Sequence, residues 1–197
     1  MVRLNTAKDM SPAAIDNNNL GWAYYNAGYT QTAAKNDPAA KTNYEQGKVY
    51  LQKAVEQDPK LDAAYVNLGA THNGLGEYQD AVTALNTANQ LHPNWTAALS
   101  QLGIGYRGLK DLANAINAFK QVIDLDSNSV SGLFNLGEAY NASGNKKEAK
   151  KINDRLKKLN PQLAATLNDI FNGKIPTVSV PSVKVPSIPK PRIPKFP

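Results

Sequence analysis

Few side chains in this chain could do acid–base or metal chemistry. There are two histidines, His72 and His92, and no cysteine, which removes thiol nucleophiles, disulfides and cysteine-based zinc sites together. Neither histidine stands at a metal-ligand spacing from an aspartate or glutamate, no glycine-rich phosphate loop follows a strand pattern, and no G-x-S-x-G occurs. His72 takes the place held by Tyr106 and Tyr140 at later turns of a recurring pattern, which predicts a side chain packed between helices, and His92 precedes the helix-breaking Pro93. Asn94-Trp95-Thr96 and Asn141-Ala142-Ser143 fit the glycosylation pattern, a signal that matters only in a eukaryotic secretory chain. The expectation is a chain with no catalytic residue, no metal and no cofactor, whose work is binding.

The elements that must carry such binding show a fixed stride. Leu68-Gly69, Leu102-Gly103 and Leu136-Gly137 are 34 residues apart, as are Ala81, Ala115 and Ala149, while Pro59 and Ala54 lie 34 before Pro93 and Ala88. Within one stride, Asp62 to Trp95, Tyr65, Leu68 and Gly69 share one face of a first helix. Tyr78, Ala81, Leu85 and Ala88 recur at i, i+3, i+4 spacing on a second. Gly69 and Ala81 lack bulk, so two backbones can approach closely and longer side chains interlock around them.

This pattern resembles the tetratricopeptide repeat (TPR) family over roughly residues 14 to 163. The resemblance implies an all-α fold, a right-handed α-solenoid of four TPR-like helix pairs, with a C-terminal capping helix and a disordered Pro-rich tail. The expected organisation is a flexible N-terminus at 1–11, a repeat domain at 12–173 and a basic extended tail at 174–197. The repeats fall at about 14–61, 62–95, 96–129 and 130–163, with a capping helix at 162–172. The first helix is expected to run from Pro12 and close at Gly28. An insertion at 29–43 then delays Tyr44 by 14 residues and predicts a long second helix, about Pro38 to Gln57, started by Asp37-Pro38.

In the family, certain places of each first helix point into a concave groove. Carried onto this sequence, they give an amide row of Asn19, Asn67, Gln101 and Asn135, which could pair with an extended peptide backbone because a carboxamide both donates and accepts. Flanking places supply Trp22, Tyr25, Val66, Asn73, Ile104, Arg107, Phe134, Glu138 and Asn141, a mostly apolar and amide surface. The carboxylate clamp of chaperone-binding members is not matched: its places hold Asn18, Trp22, Asn67, Ala97 and Gln101, or, one repeat on, Val66, Ala70, Gln101, Ser131 and Asn135. The resemblance therefore implies a non-enzymatic scaffold that binds an extended or helical protein segment with an affinity of roughly −8 kcal/mol.

Charge suggests an alternative. Of the net +6, residues 1–129 carry −2 and residues 130–197 carry +8, and from Lys174 onward there are five basic residues and no acid. Lys146, Lys147, Lys150, Lys151, Arg155, Lys157 and Lys158 crowd the last second helix, where Asn153 replaces the apolar Leu85 and Phe119 of earlier strides. Attachment of this basic end to an anionic membrane surface is a weaker reading, nucleic acid is disfavoured for want of aromatics in the tail, and homo-oligomerisation through the tail is a third. The tail holds seven of the 12 prolines and three loose P-x-x-P spacings. No signal peptide or membrane span is visible, and composition leans toward a bacterial cytoplasmic or envelope protein without fixing the compartment.

Overall fold

The computed structural model describes residues 11–174, and the expectations for the rest of the N-terminus and for the proline-rich tail lie outside the described residues. Nine helices and no strand occur among them: α1 (Pro12–Ala33), α2 (Asp37–Gln57), α3 (Asp62–Leu75), α4 (Tyr78–Leu91), α5 (Thr96–Gly108), α6 (Leu112–Leu125), α7 (Val130–Ala142), α8 (Lys146–Leu159) and α9 (Pro161–Phe171). They form two compact units that divide between His92 and Pro93. The first holds the pairs α1/α2 and α3/α4; the second holds α5/α6, α7/α8 and the single helix α9.

Each pair is closed by a notch and a knob. A Cβ built on Gly21 would lie 2.5 Å from Leu51 Cγ, on Gly69 2.4 Å from Leu85 Cγ, and on Gly103 2.4 Å from the Phe119 ring. No side chain larger than hydrogen fits at these first-helix positions, which is why the stride preserves glycine there. Ala81 and Ala115 are fully buried on the facing helices. In the last pair the knob comes from elsewhere. Asn153 stands at the register of Leu85 and Phe119, and the side chain over Gly137 is Leu167 of α9, whose Cδ2 would lie 2.6 Å from a Cβ built there. Leu167, Ala164 and Ile170 are all buried, so α9 completes the second unit's core with Leu133, Phe134, Leu136 and Leu156.

The joints repeat as strictly as the notches. The residues closing α2, α4, α6 and α8, namely Asp58, His92, Asp126 and Asn160, all adopt extended backbone with φ between −148° and −136°. Asp58 and Asp126 then accept hydrogen bonds from the amides of Lys60 and Asn128, and Asn160 caps α9 by accepting from Leu163 N. Inside pairs two to four the turn uses left-handed backbone at Gly76, Lys110 and Gly144, with φ of 76°, 62° and 79°.

The first pair departs from the expectation that Gly28 ends its first helix. α1 runs through Gly28 to Ala33, and at 22 and 21 residues α1 and α2 are each about two turns longer than the 13- or 14-residue helices of the other pairs. The insertion is therefore shared between the two helices. Gly28 is needed as a notch: Tyr44 lies 2.7 Å from a Cβ built there, and 2.7 Å from one built on Gly74 of α3, so its ring wedges against both helices. Its hydroxyl sits 3.3 Å from Thr32 Oγ1.

Candidate functional site

The first-helix face builds up from how each unit packs. In the first unit, Asn67 on α3 turns inward and donates through Nδ2 to Asn18 Oδ1 on α1 at 2.8 Å, and both side chains are buried. Val66 is fully buried beside it, and Tyr25 packs at a tilt against Tyr44 inside the long hairpin. Asn19 and Trp22 on α1 stay half-exposed, as does Asn73 at the end of α3. In the second unit, Gln101 is buried, Phe134 is a fully buried member of the core, and Glu138 is buried on α7. Ile104 and Arg107 of α5, with Asn135 and Asn141 of α7, remain half-exposed. Lys146 donates to Asn141 Oδ1 at 2.7 Å.

Six of the thirteen groove residues read from the sequence (Tyr25, Val66, Asn67, Gln101, Phe134 and Glu138) thus offer almost no surface in this conformation. A place on a first helix faces outward only where the neighbouring first helix leaves it uncovered. The open surface narrows to Asn19, Trp22 and Asn73 in the first unit and Ile104, Arg107, Asn135 and Asn141 in the second.

Arg107 is the charged element of the second unit's face, and its Nη1 donates to Glu138 Oε2 at 2.5 Å. Burial raises the Glu138 carboxyl above its ordinary range, an effect that the adjacent guanidinium offsets only in part. Glu138 Oε1 has no protein hydrogen-bond partner. This pair ties α5 to α7 as the Asn18–Asn67 pair ties α1 to α3.

A second constellation lies in the first unit and was missed in the sequence. Lys48, Gln52, Tyr65, Leu68, His72, Glu77, Asp80, Thr83, Ala84 and Thr87 line a solvent-open cavity of about 430 Å³ between α2 and α4, with α3 as its floor. Lys48 Nζ is 2.7 Å from Glu77 Oε1, and His72 Nδ1 is 2.5 Å from Glu77 Oε2. Desolvation pushes the Glu77 carboxyl up, but the hydrogen bonds and charges of Lys48 and His72 outweigh it and hold the group below its ordinary range. With Asp80, the ligand atoms of His72 and Glu77 all fall within 4.8 Å of one another. The signal was there as His72-x4-Glu77-x2-Asp80. It becomes a cluster only because Gly76 takes left-handed backbone and folds α4 back beside α3.

The sequence profile described as Tetratricopeptide repeat matches residues 39–102 and 106–167. The chain belongs to the tetratricopeptide repeat family. Solved structures share this TPR fold at low identity. The crystal structure of MamA is 20% identical, with a TM-score of 0.61 over 71% of this chain and 83% of that one. The thermophilic TPR protein TTC0263 of Thermus thermophilus is 16% identical, with a TM-score of 0.60 over 78% and 82%. The first TPR domain of human RPAP3, solved by NMR, is 18% identical, with a TM-score of 0.52 over 66% and 98%. No curated protein matches the chain. TPR folds generally serve as non-enzymatic scaffolds for protein–protein interaction, and no helix among the described residues is long and apolar enough to cross a membrane.

Proposed function

We propose that this TPR chain is a non-enzymatic scaffold that holds an extended or helical protein segment against the open faces of its first helices. The observation that carries this reading is that Trp22 and Ile104 stay half-exposed although each directly follows a glycine notch, Gly21 or Gly103, that is packed against the facing helix. Large apolar side chains beside amides suit a segment that brings apolar anchors and an unpaired backbone. Asn19 supplies the amide on the helix of Trp22, and Asn135 and Asn141 on α7 supply it in the unit of Ile104. Arg107, steadied by Glu138, contributes a directed donor.

The test selects peptides by display on the full chain and measures their affinity by fluorescence anisotropy. Trp22→Ala probes the first unit and Ile104→Ala the second. Loss of a binding anchor should weaken affinity about tenfold in at least one of them, with the helical melt unchanged. Affinity that neither substitution alters would overturn the reading. The alternative, attachment through the basic end, is favoured by the exposed lysines of α8. Salt separates the two: anchor-driven binding should change little between about 50 and 200 mM, whereas phosphate binding falls by orders of magnitude.

A further inference from the structure

We propose that His72, Glu77 and Asp80 form a zinc site in the cavity of the first unit, with the fourth coordination position open to that cavity. The donor set is chemically mixed: one imidazole nitrogen and two carboxylates, drawn from the last turn of α3, the residue just before α4 and the first turn of α4. Imidazole with carboxylates suits Zn²⁺ better than the oxygen-seeking Ca²⁺ or Mg²⁺, and three protein ligands plus one open position is a common zinc arrangement.

The groups are poised unequally. His72 is buried, with its Nδ1 directed at Glu77, so its position is set by packing. Glu77 is held between Lys48 Nζ and His72 Nδ1, one on each carboxylate oxygen. Asp80 is exposed and its side chain has no hydrogen bond or ion pair among the described residues, so it can swing onto an ion at little cost. Zinc–nitrogen and zinc–oxygen bonds of about 2.0–2.2 Å place neighbouring donors roughly 3.3 Å apart. Zinc entry therefore opens the short His72–Glu77 contact slightly and draws Asp80 inward. The cavity gives room for the ion and a water.

The charged groups facing the site are Lys48 from α2, His72 from α3, Glu77 at the start of α4 and Asp80 within it, with the Tyr65 phenol also in the wall. Lys48 is the resident cation on Glu77 Oε1 and competes with the metal. This sets a signature that a purely structural ion network does not have: removing Lys48 should tighten zinc.

Calorimetric titration of ZnCl₂ into the full, tag-free chain at neutral pH reads the stoichiometry, and Co²⁺ substitution reads the geometry through the intense visible bands of a four-coordinate ion. One zinc per chain is expected at micromolar strength. Asp80→Asn should weaken it about tenfold or more, Lys48→Gln should tighten it several-fold, and His92→Gln, which alters the other histidine–carboxylate pair with Asp62, should leave it unchanged. Asp80 and Lys48 lie outside the apolar core, so the first two variants keep the fold. No saturable uptake, uptake indifferent to Asp80→Asn, or weaker binding in Lys48→Gln would each overturn the proposal.

Discussion

Leu167→Ala tests whether α9 is part of the repeat core or merely follows it. In the earlier pairs the notch is filled from the pair's own second helix, but Asn153 cannot fill the notch at Gly137, and Leu167 does. Leu167 is fully buried. Truncation forfeits about 1.5–3 kcal/mol of side-chain burial, and the void beside a residue with no side chain to relax into it brings the loss to about 3 kcal/mol. A ceiling applies, because among the described residues α9 packs only on α7 and α8. If docking of α9 is worth less than the void costs, the helix releases, and the variant behaves like a chain ending at Asn160. Urea unfolding followed by far-ultraviolet circular dichroism on the full chain, on Leu167→Ala and on that shortened chain distinguishes these cases. The expected order is the full chain most stable, with Leu167→Ala lower by about 3 kcal/mol and the shortened chain at or below it. A loss under about 1 kcal/mol for Leu167→Ala would refute the knob-and-notch account of the last pair.

Three further predictions follow from the same packing. Gly103→Ala should cost about 3 kcal/mol in thermal melts, because the added methyl meets the rigid Phe119 ring, while Gly137→Ala should cost about 1 kcal/mol, because it meets only the tip of Leu167. Lys110→Gly should stabilise the chain by about 0.5–1 kcal/mol, since Lys110 holds the left-handed backbone that Gly76 and Gly144 adopt without a Cβ, and Lys110→Ala should show no such gain. Glu138 has a raised folded-state pKa, so protonation favours the folded chain, and its contribution to stability falls as pH rises from its unfolded value through the folded one. Glu138→Gln should therefore gain on the parent chain as pH rises above the ordinary carboxylate range, and equal pH slopes in the two melts would count against it. Glu77 has the opposite sign: its contribution is present above its unfolded value and is lost as pH drops through its lowered folded one.

The period was legible because it is enforced by contact. Any residue larger than glycine at Gly69 or Gly103 collides with Leu85 or Phe119, so the spacing survives as a string of identical letters. Helix α9 was legible for a similar reason, since Leu163, Leu167 and Ile170 keep a helical spacing toward one side. The end of α1 was not legible. A glycine that closes a helix and a glycine that receives a ring from the facing helix are written alike, and only the position of Tyr44 decides that Gly28 is the second kind. The candidate site was less legible still, because exposure of a first-helix place depends on which neighbour covers it. Ile104 and Glu138 occupy the same groove place one 34-residue stride apart, yet Glu138 is buried and Ile104 is half-open. The cluster at His72 hid behind a turn that brings residues five and eight apart into reach.

The buried polar pairs explain why the amide row divides as it does. Apolar knobs fix how the two helices of a pair meet, but they say little about how one first helix is placed along the next. In the first unit that placement is marked by the Asn67–Asn18 hydrogen bond, and in the second by Arg107 on Glu138. A slip of either register would leave a buried carboxamide or carboxylate unpaired, at a cost of about 1–3 kcal/mol or more. Asn18 Nδ2 and Asn67 Oδ1 already lack a protein partner, so the remaining bond is one the unit can ill spare. The carboxamide chemistry that would suit a peptide backbone is thus spent at Asn67 on aligning α1 with α3. Under the proposed function, a bound segment would instead be met by the amides left at the surface, Asn19 in one unit and Asn135 with Asn141 in the other. For that reason substitutions at Asn67 test the fold, whereas substitutions at Asn135 test the proposed recognition.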